Sequence, residues 1–285
     1  MPRTPFPIVA LAVLAATSCD RTRGTVPPAG SSEVGAVPVG SSALDATIAV
    51  EADDAPGDSA LDATIAERDP GPFDLPFDGT RNVYVVAPRS PKDPQRLIAF
   101  LHGICNPPEY ACGLWAQTST ELGFLVCPTG DARCGPGQYN APTWGKPEGK
   151  IDEDLEHAIE ATMARFPGAI TRDDAVLCGF SRGAYMAVKF AVAHPGRWPY
   201  LVLNEANVAL SAEQLRKAGV RAVALIAGEI GGQIAGEKKT AAALIKQGFP
   251  ARFWPMPKAG HFYSDDIGQI MREAIDFVTA VPAPP

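Results

Sequence analysis

The sequence predicts an α/β fold, a mainly parallel sheet with helices on both faces, and two observations carry that reading. From residue 73 onward, short apolar and β-branched runs alternate with amphipathic stretches of helical period, the pattern left by strand, crossover helix and parallel strand. Within that alternation, Gly179-Phe180-Ser181-Arg182-Gly183 follows the buried-strand run Ala175-Val176-Leu177-Cys178 and opens a helical stretch. Strand, sharp turn and helix in that order are what a G-x-S-x-G nucleophile elbow requires, with glycines where the turn leaves no room for a Cβ.

Residues 1–19 read as an export signal. Arg3 gives a positive start, Ile8 to Ala16 is an apolar core too short to span a bilayer comfortably, and Ala16-Thr17-Ser18-Cys19 resembles a bacterial lipobox, in which the cysteine is acylated. The expectation is an exported, membrane-anchored lipoprotein, periplasmic or at the cell surface; the alternative is ordinary signal cleavage and secretion. Residues 20–72 change to Ala, Gly, Pro, Ser and Asp without aromatics up to Pro72. Such a composition buries too little to offset its ordering entropy and reads as a tether. Within it Ser42 to Ala49 recurs as Ser59 to Ala66, two copies being too few for a solenoid.

The domain spans 73–281, with 282–285 as a tail. Expected strands are Asn82 to Ala87, Leu97 to Leu101, Gly123 to Cys127, Ala175 to Cys178, Leu201 to Asn204, Ala222 to Ala227 and Ala251 to Trp254. Expected helices lie near Tyr110 to Leu122, Asp152 to Phe166, Ser181 to His194, Ser211 to Ala218, Glu237 to Gln247 and Asp265 to Val278. In the second of these, Asp152, Glu153 and Asp154 gather at the positive N-terminus, and Leu155, Ile159, Met163 and Phe166 form one stripe. His157 falls off the stripe and reads as exposed. Ser211 with Gln214 reads as a capping box.

Ser181 is thus the candidate nucleophile. The chain has four histidines, and on this architecture the base follows the nucleophile. His102 and His157 precede it, His194 ends a helix ahead of Pro195, and His261 stands after the last strand in Lys258-Ala259-Gly260-His261-Phe262. His261 is the candidate base. Between Ser181 and His261 there is no aspartate, and the acids are Glu205, Glu213, Glu229 and Glu237. Glu213 and Glu237 read as solvated helix-start charges. Glu229 and Glu205 each end a strand; Glu229 is the expected acid, with Glu205 the alternative. Arg96 to Ile104 is a strand running into His102-Gly103, a place from which the Ile104 N–H joins that of Arg182 in an oxyanion hole, with His102 orienting the loop.

No His and Cys spacing forms a convincing zinc site and no glycine-rich phosphate motif precedes a helix, so no metal or organic cofactor is implied. A net charge of -7 argues against nucleic acid as partner. Apart from Cys19 and the strand residue Cys178, four cysteines remain, Cys105, Cys112, Cys127 and Cys134, expected to oxidise in an exported protein, with three pairings open.

These motifs give the chain its resemblance to a known group. Leu101-His102-Gly103 with Cys105, Asp173 to Ala184 around the elbow, and Gly260-His261 resemble the α/β-hydrolase fold, in its secreted polyhydroxybutyrate-depolymerase and feruloyl-esterase-like branch, over about residues 78 to 280. Such proteins commonly carry an aspartate shortly after the glycine that ends the penultimate strand; here Gly228-Glu229-Ile230-Gly231-Gly232 has none. The resemblance implies a serine hydrolase that cleaves carboxylic esters through an acyl-enzyme, on a small-molecule or polymeric ester; the N-terminal reading adds export and a membrane tether through Cys19. Peptide hydrolysis uses the same machinery, and a non-catalytic binding protein on a hydrolase scaffold is the alternative of another class. The loop from Cys127 to Trp144, with Tyr139 and Trp144, is expected to line the substrate pocket or to pack Trp144 on the core.

Overall fold

The computed structural model describes residues 72–89 and 93–283. The export signal, Cys19, the repeat and all but the last residue of the tether lie outside the described residues.

The strands are β1 (Phe73–Asp78), β2 (Arg81–Val86), β3 (Gln95–Leu101), β4 (Phe124–Pro128), β5 (Ala132–Arg133), β6 (Pro142–Thr143), β7 (Ile170–Phe180), β8 (Tyr200–Asn204), β9 (Ala222–Gly228) and β10 (Ala251–Met256). Eight of them form one sheet in the order β1-β2-β4-β3-β7-β8-β9-β10, while β5 and β6 pair apart as a short ribbon. From β4 to β10 every neighbouring pair is parallel, and β1 and β2 join antiparallel at the edge. The helices are α1 (Pro108–Gly113), α2 (Ala116–Ser119), α3 (Glu148–Arg165), α4 (Arg182–Ala193), α5 (Ala212–Lys217), α6 (Ile234–Lys246) and α7 (Ile267–Thr279).

Strand residues alternate between two cores, as a period of two demands. Ala175 and Leu177 of β7, with Leu201 and Leu203 of β8, face Leu155, Ala187, Leu215 and Leu244 of α3, α4, α5 and α6. Val176, Cys178, Tyr200 and Val202 face the other way, onto Cys112 of α1, Ala116 of α2 and Ile270 and Ile275 of α7. Each such aliphatic side chain, buried fully, contributes about 1.5–3 kcal/mol. β8 and β9 are buried at every position, so the middle of the sheet is dry on both faces.

Several boundaries differ from the sequence reading. The chain enters the sheet earlier, through β1, whose Phe73, Leu75 and Phe77 alternate with exposed residues; Pro76 fits because β1 is an edge strand. The expected helix over Tyr110 to Leu122 is two short ones, broken at Leu114 and Trp115. α3 begins at Glu148, after Pro147, so Asp152 and Asp154 lie inside it rather than at its positive end. Ion pairs bury them instead. Asp152 meets His194, at 2.5 Å, and Arg197; Asp154 meets Arg81 at 2.8 Å and Lys146 at 3.1 Å. Burial works to raise the Asp154 carboxyl, but its bonds to Arg81 and Lys146 prevail and hold it below the usual range.

The cysteines pair as Cys105–Cys134 and Cys112–Cys127, with Cα separations of 5.6 and 6.6 Å. Cys178 is a buried thiol on β7, and burial raises its pKa.

Candidate active site

Parallel strands deliver their C-terminal ends to one edge, and ligands of open α/β sheets bind beyond that edge. Ser181 follows β7 there, in the left-handed region at φ 52°. A non-glycine residue rarely holds this conformation, and it needs neighbours that fix it. Its N–H donates to the Asn204 carbonyl at 2.8 Å, locking the turn to the end of β8. The two motif glycines have separate reasons. A Cβ on Gly183 would run into the Leu101 carbonyl of β3, and one on Gly179 would run into the Gly183 backbone. Helix and strands can approach this closely only without those carbons.

His261 comes from the loop after β10. Its Nε2 lies 2.9 Å from Ser181 Oγ and its Nδ1 2.8 Å from Glu205 Oε2. Phe180 supports the ring, with centroids 5.3 Å apart. The imidazole is half exposed, so the Ser181 side of the site is open to solvent, while the Glu205 carboxylate is fully buried.

Glu205, not the expected Glu229, is therefore the carboxylate that meets His261. Glu205 is the residue after β8, again in the left-handed region at φ 55°. Its N–H donates to the Ile226 carbonyl at 2.8 Å, and its Oε1 accepts the Gly228 N–H, so the carboxylate lies across the end of β9. The Gly228 position has no space for a Cβ, which would strike the carbonyls of Ala259 and Gly260. Glu229 starts beyond that crossing point. Its N–H is taken by the Met256 carbonyl at 2.9 Å, and its exposed carboxylate accepts from the Lys258 N–H at 3.2 Å. The one signal in the sequence is chain order, since the strand before Glu205 follows the Ser181 strand directly and so tends to lie beside it; the crossing of β9 that decides the choice leaves no local mark.

Glu237 also departs from the sequence reading. It is fully buried, not solvated.

His102 ends against Gly103 in the loop after β3, wholly buried. Gly130 N–H donates to its Nε2 at 3.0 Å, which leaves the proton on Nδ1 to donate to the Gly103 carbonyl at 2.7 Å. Burial lowers its pKa to about 4, so it is neutral. Trp144 stacks on it at 4.3 Å and donates Nε1–H to its carbonyl at 2.8 Å. Trp144 is thus core rather than pocket lining, and Tyr139 stands out in solvent. Gly103 is packed against Phe180 and Ser181. Because the peptide is trans, the Ile104 N–H points away from the His102 ring. Arg182 is the first residue of α4, so its N–H has no partner one turn back within the helix. His194 closes α4 on Asp152, and His157 is exposed on α3. Among the described residues no three His, Cys, Asp or Glu side chains gather as metal ligands do.

No protein-family model and no curated protein matches the chain. Solved structures do match. An S-formylglutathione hydrolase from Staphylococcus aureus is similar at a TM-score of 0.53 and 15% identity, over 73% of this chain and 98% of that one. This is an α/β-hydrolase fold. A carboxylesterase from Bacillus cereus follows at TM-score 0.51 and 13% identity, over 70% and 95% of the two chains. A ferulic acid esterase from Anaeromyces mucronatus, in complex with ferulic acid, gives 0.50 and 14% over 74% and 91%. On this fold, β7 leads into the Ser181 turn, β8 into Glu205 and β10 into the His261 loop, with the antiparallel β1 and β2 at the far edge of the sheet.

Proposed function

We propose that this protein is a serine hydrolase that cleaves carboxylic esters through an acyl-enzyme. The observation that carries the reading is the continuous hydrogen-bonded line from Ser181 Oγ through His261 to Glu205, at 2.9 and 2.8 Å, mounted on an elbow. His261 Nε2 takes the hydroxyl proton as Ser181 Oγ attacks the ester carbonyl, and the imidazolium is stabilised by the Glu205 carboxylate at Nδ1. The Ile104 and Arg182 N–H groups receive the oxyanion. Collapse of the tetrahedral intermediate expels the alcohol, which leaves with the proton from His261. Water then repeats the sequence on the acyl-enzyme, regenerating Ser181 and releasing the acid.

A substrate with an apolar acyl or alcohol group fits best. Ile104, Tyr185 and Phe262, neighbours in sequence of the oxyanion loop, the elbow and His261, are large exposed apolar side chains. The esterases and hydrolases that share the fold support ester over peptide cleavage. The absence of an aspartate after Gly228 no longer favours a binding role, since Glu205 fills that place.

The deciding experiment is labelling of the purified protein with a fluorophosphonate, beside hydrolysis of a short-chain p-nitrophenyl ester. Both are expected for the wild type, and both are expected to vanish in Ser181→Ala. A folded wild type that neither reacts nor turns over ester would sink the proposal.

We further propose export and acylation at Cys19, on the strength of the apolar segment with Ala16-Thr17-Ser18-Cys19. Paired Cys105–Cys134 and Cys112–Cys127 are compatible with an oxidising compartment.

A further inference from the structure

The most unusual group outside the reacting line is Glu237, in the first turn of α6. It is fully buried, and its Oε1 accepts the Ala206 N–H at 2.6 Å. Its Oε2 is buried with no hydrogen-bond partner among the described residues. Ala206 is the residue after Glu205, whose φ is 55°. The same helix grips the turn twice more: Thr240 Oγ1 donates to the Val208 carbonyl at 3.2 Å, and Gly236 gives up its Cβ space to the Asn207 side chain. Three successive residues of the turn after β8 are held by one face of α6.

We propose that Glu237 is a positioning residue for the triad, its carboxyl clamping the turn that aims Glu205 at His261. The inference rests on the catalytic reading of Ser181, His261 and Glu205. A residue in the left-handed region is held only if its surroundings over-determine it, and the Glu237 bond to the Ala206 N–H fixes the Glu205–Ala206 peptide. Burial in the first place, with the Glu205 carboxyl adding to it, pushes the Glu237 carboxyl up to about 9 against the pull of the Ala206 and Ile226 backbone. At neutral pH Glu237 is therefore an acid that still accepts a hydrogen bond. The neighbouring Glu205 carboxyl thus favours the neutral form of Glu237, as a like group in one low-dielectric site does. Of the surrounding elements, β8 and β9 carry no charge, Arg252 of β10 lies over Trp254, and on α6 Lys238 lies over Phe253 and Lys239 is exposed. Glu229 is turned toward the Lys258 backbone.

Glu237→Gln keeps an acceptor oxygen without a proton to lose, and Glu237→Leu keeps volume without the acceptor. In full-length protein the readouts are ester kcat and KM across pH 6–10, thermal stability, and the low-field proton NMR signal of His261 Nδ1–H. For Glu237→Leu kcat is expected to fall about tenfold or more with KM unchanged, the acid limb of the kcat profile to move to lower pH, and the low-field signal to be lost. Glu237→Gln is expected to restore kcat and the signal, and to remove a decline that the wild type shows as pH rises through about 9. A folded Glu237→Leu with wild-type profile and signal overturns the proposal, as does a Glu237→Gln that loses as much as Glu237→Leu. If Glu237→Leu does not fold, an alkaline limb of Glu237→Gln identical to that of the wild type overturns it. If the wild type neither labels nor turns over, the catalytic reading has failed by itself; the NMR signal still tests the clamp, its presence in folded Glu237→Leu overturning it and its selective loss there upholding it.

Discussion

Two residues of the site, Ser181 and Glu205, share a left-handed backbone at φ 52° and 55°, each directly after a strand and each tied by its N–H to the carbonyl end of the next strand. That arrangement decides which carboxylate meets His261. Glu205→Gln should keep the fold, since an amide can still accept the Gly228 N–H. It should lower kcat by about two to four powers of ten, because it cannot stabilise the imidazolium and favours the wrong tautomer. Glu229→Gln should leave kcat within about twofold, its carboxylate being exposed on the Lys258 backbone. Steady-state kinetics with matched thermal denaturation checks the pair, and the reverse pattern would reassign the acid. Ser181 and His261 were legible because elbow and last-strand loop have local signatures. Glu205 against Glu229 was not, because the choice depends on a side chain crossing the end of a neighbouring strand. Glu237 was misread for a related reason: it shares its helix face with Thr240, Ala241 and Leu244, all buried, a spacing that outweighed its charge.

At the scale of elements, the two disulfides have different jobs. Cys112–Cys127 fastens α1 to β4 within a core, both sulfurs buried; closing its 15-residue separation is worth about 3 kcal/mol by the chain-entropy model. Cys105–Cys134 instead ties the loop after Gly103 to the end of β5, where Cys105 has φ 52°. The double substitution Cys112→Ala with Cys127→Ala should therefore lower the melting temperature strongly. Cys105→Ser with Cys134→Ser should lower kcat/KM about tenfold with a smaller thermal loss, since it frees the oxyanion loop. Equal thermal losses with unchanged kcat/KM in the second variant would refute that division. Every expected strand and most of the helices were legible, because long apolar runs and 3.6-residue stripes are local. β1, β5 and β6 were not. β1 is interrupted by Pro76 and exists by pairing with β2, while β5 and β6 are two residues each. α3 was placed four residues late because its acids, read as dipole partners, are ion-paired in the interior with Arg81, Lys146, Arg197 and His194.

For the molecule as a whole, the sheet edge that carries the chemistry is fixed, and the remaining question of place belongs to Cys19. Protein made in a native-type host should begin at Cys19, carry acyl chains by intact-mass spectrometry, and partition into detergent. An unmodified terminus at Asp20 or beyond would instead mark a freely secreted form. The position of the acid has a wider consequence. With Glu205 just after β8, the turn from Glu229 to Gln233 supplies no carboxylate to His261 and braces the loop before it only through groups such as the Ile230 N–H, which donates to the Ala259 carbonyl at 3.0 Å; the Ile230 side chain projects into solvent, and a side chain at Gly232 would meet open space. The outward positions 230 and 232 can therefore change without touching the carboxylate that meets His261, whereas an acid following β9 would have stood among them.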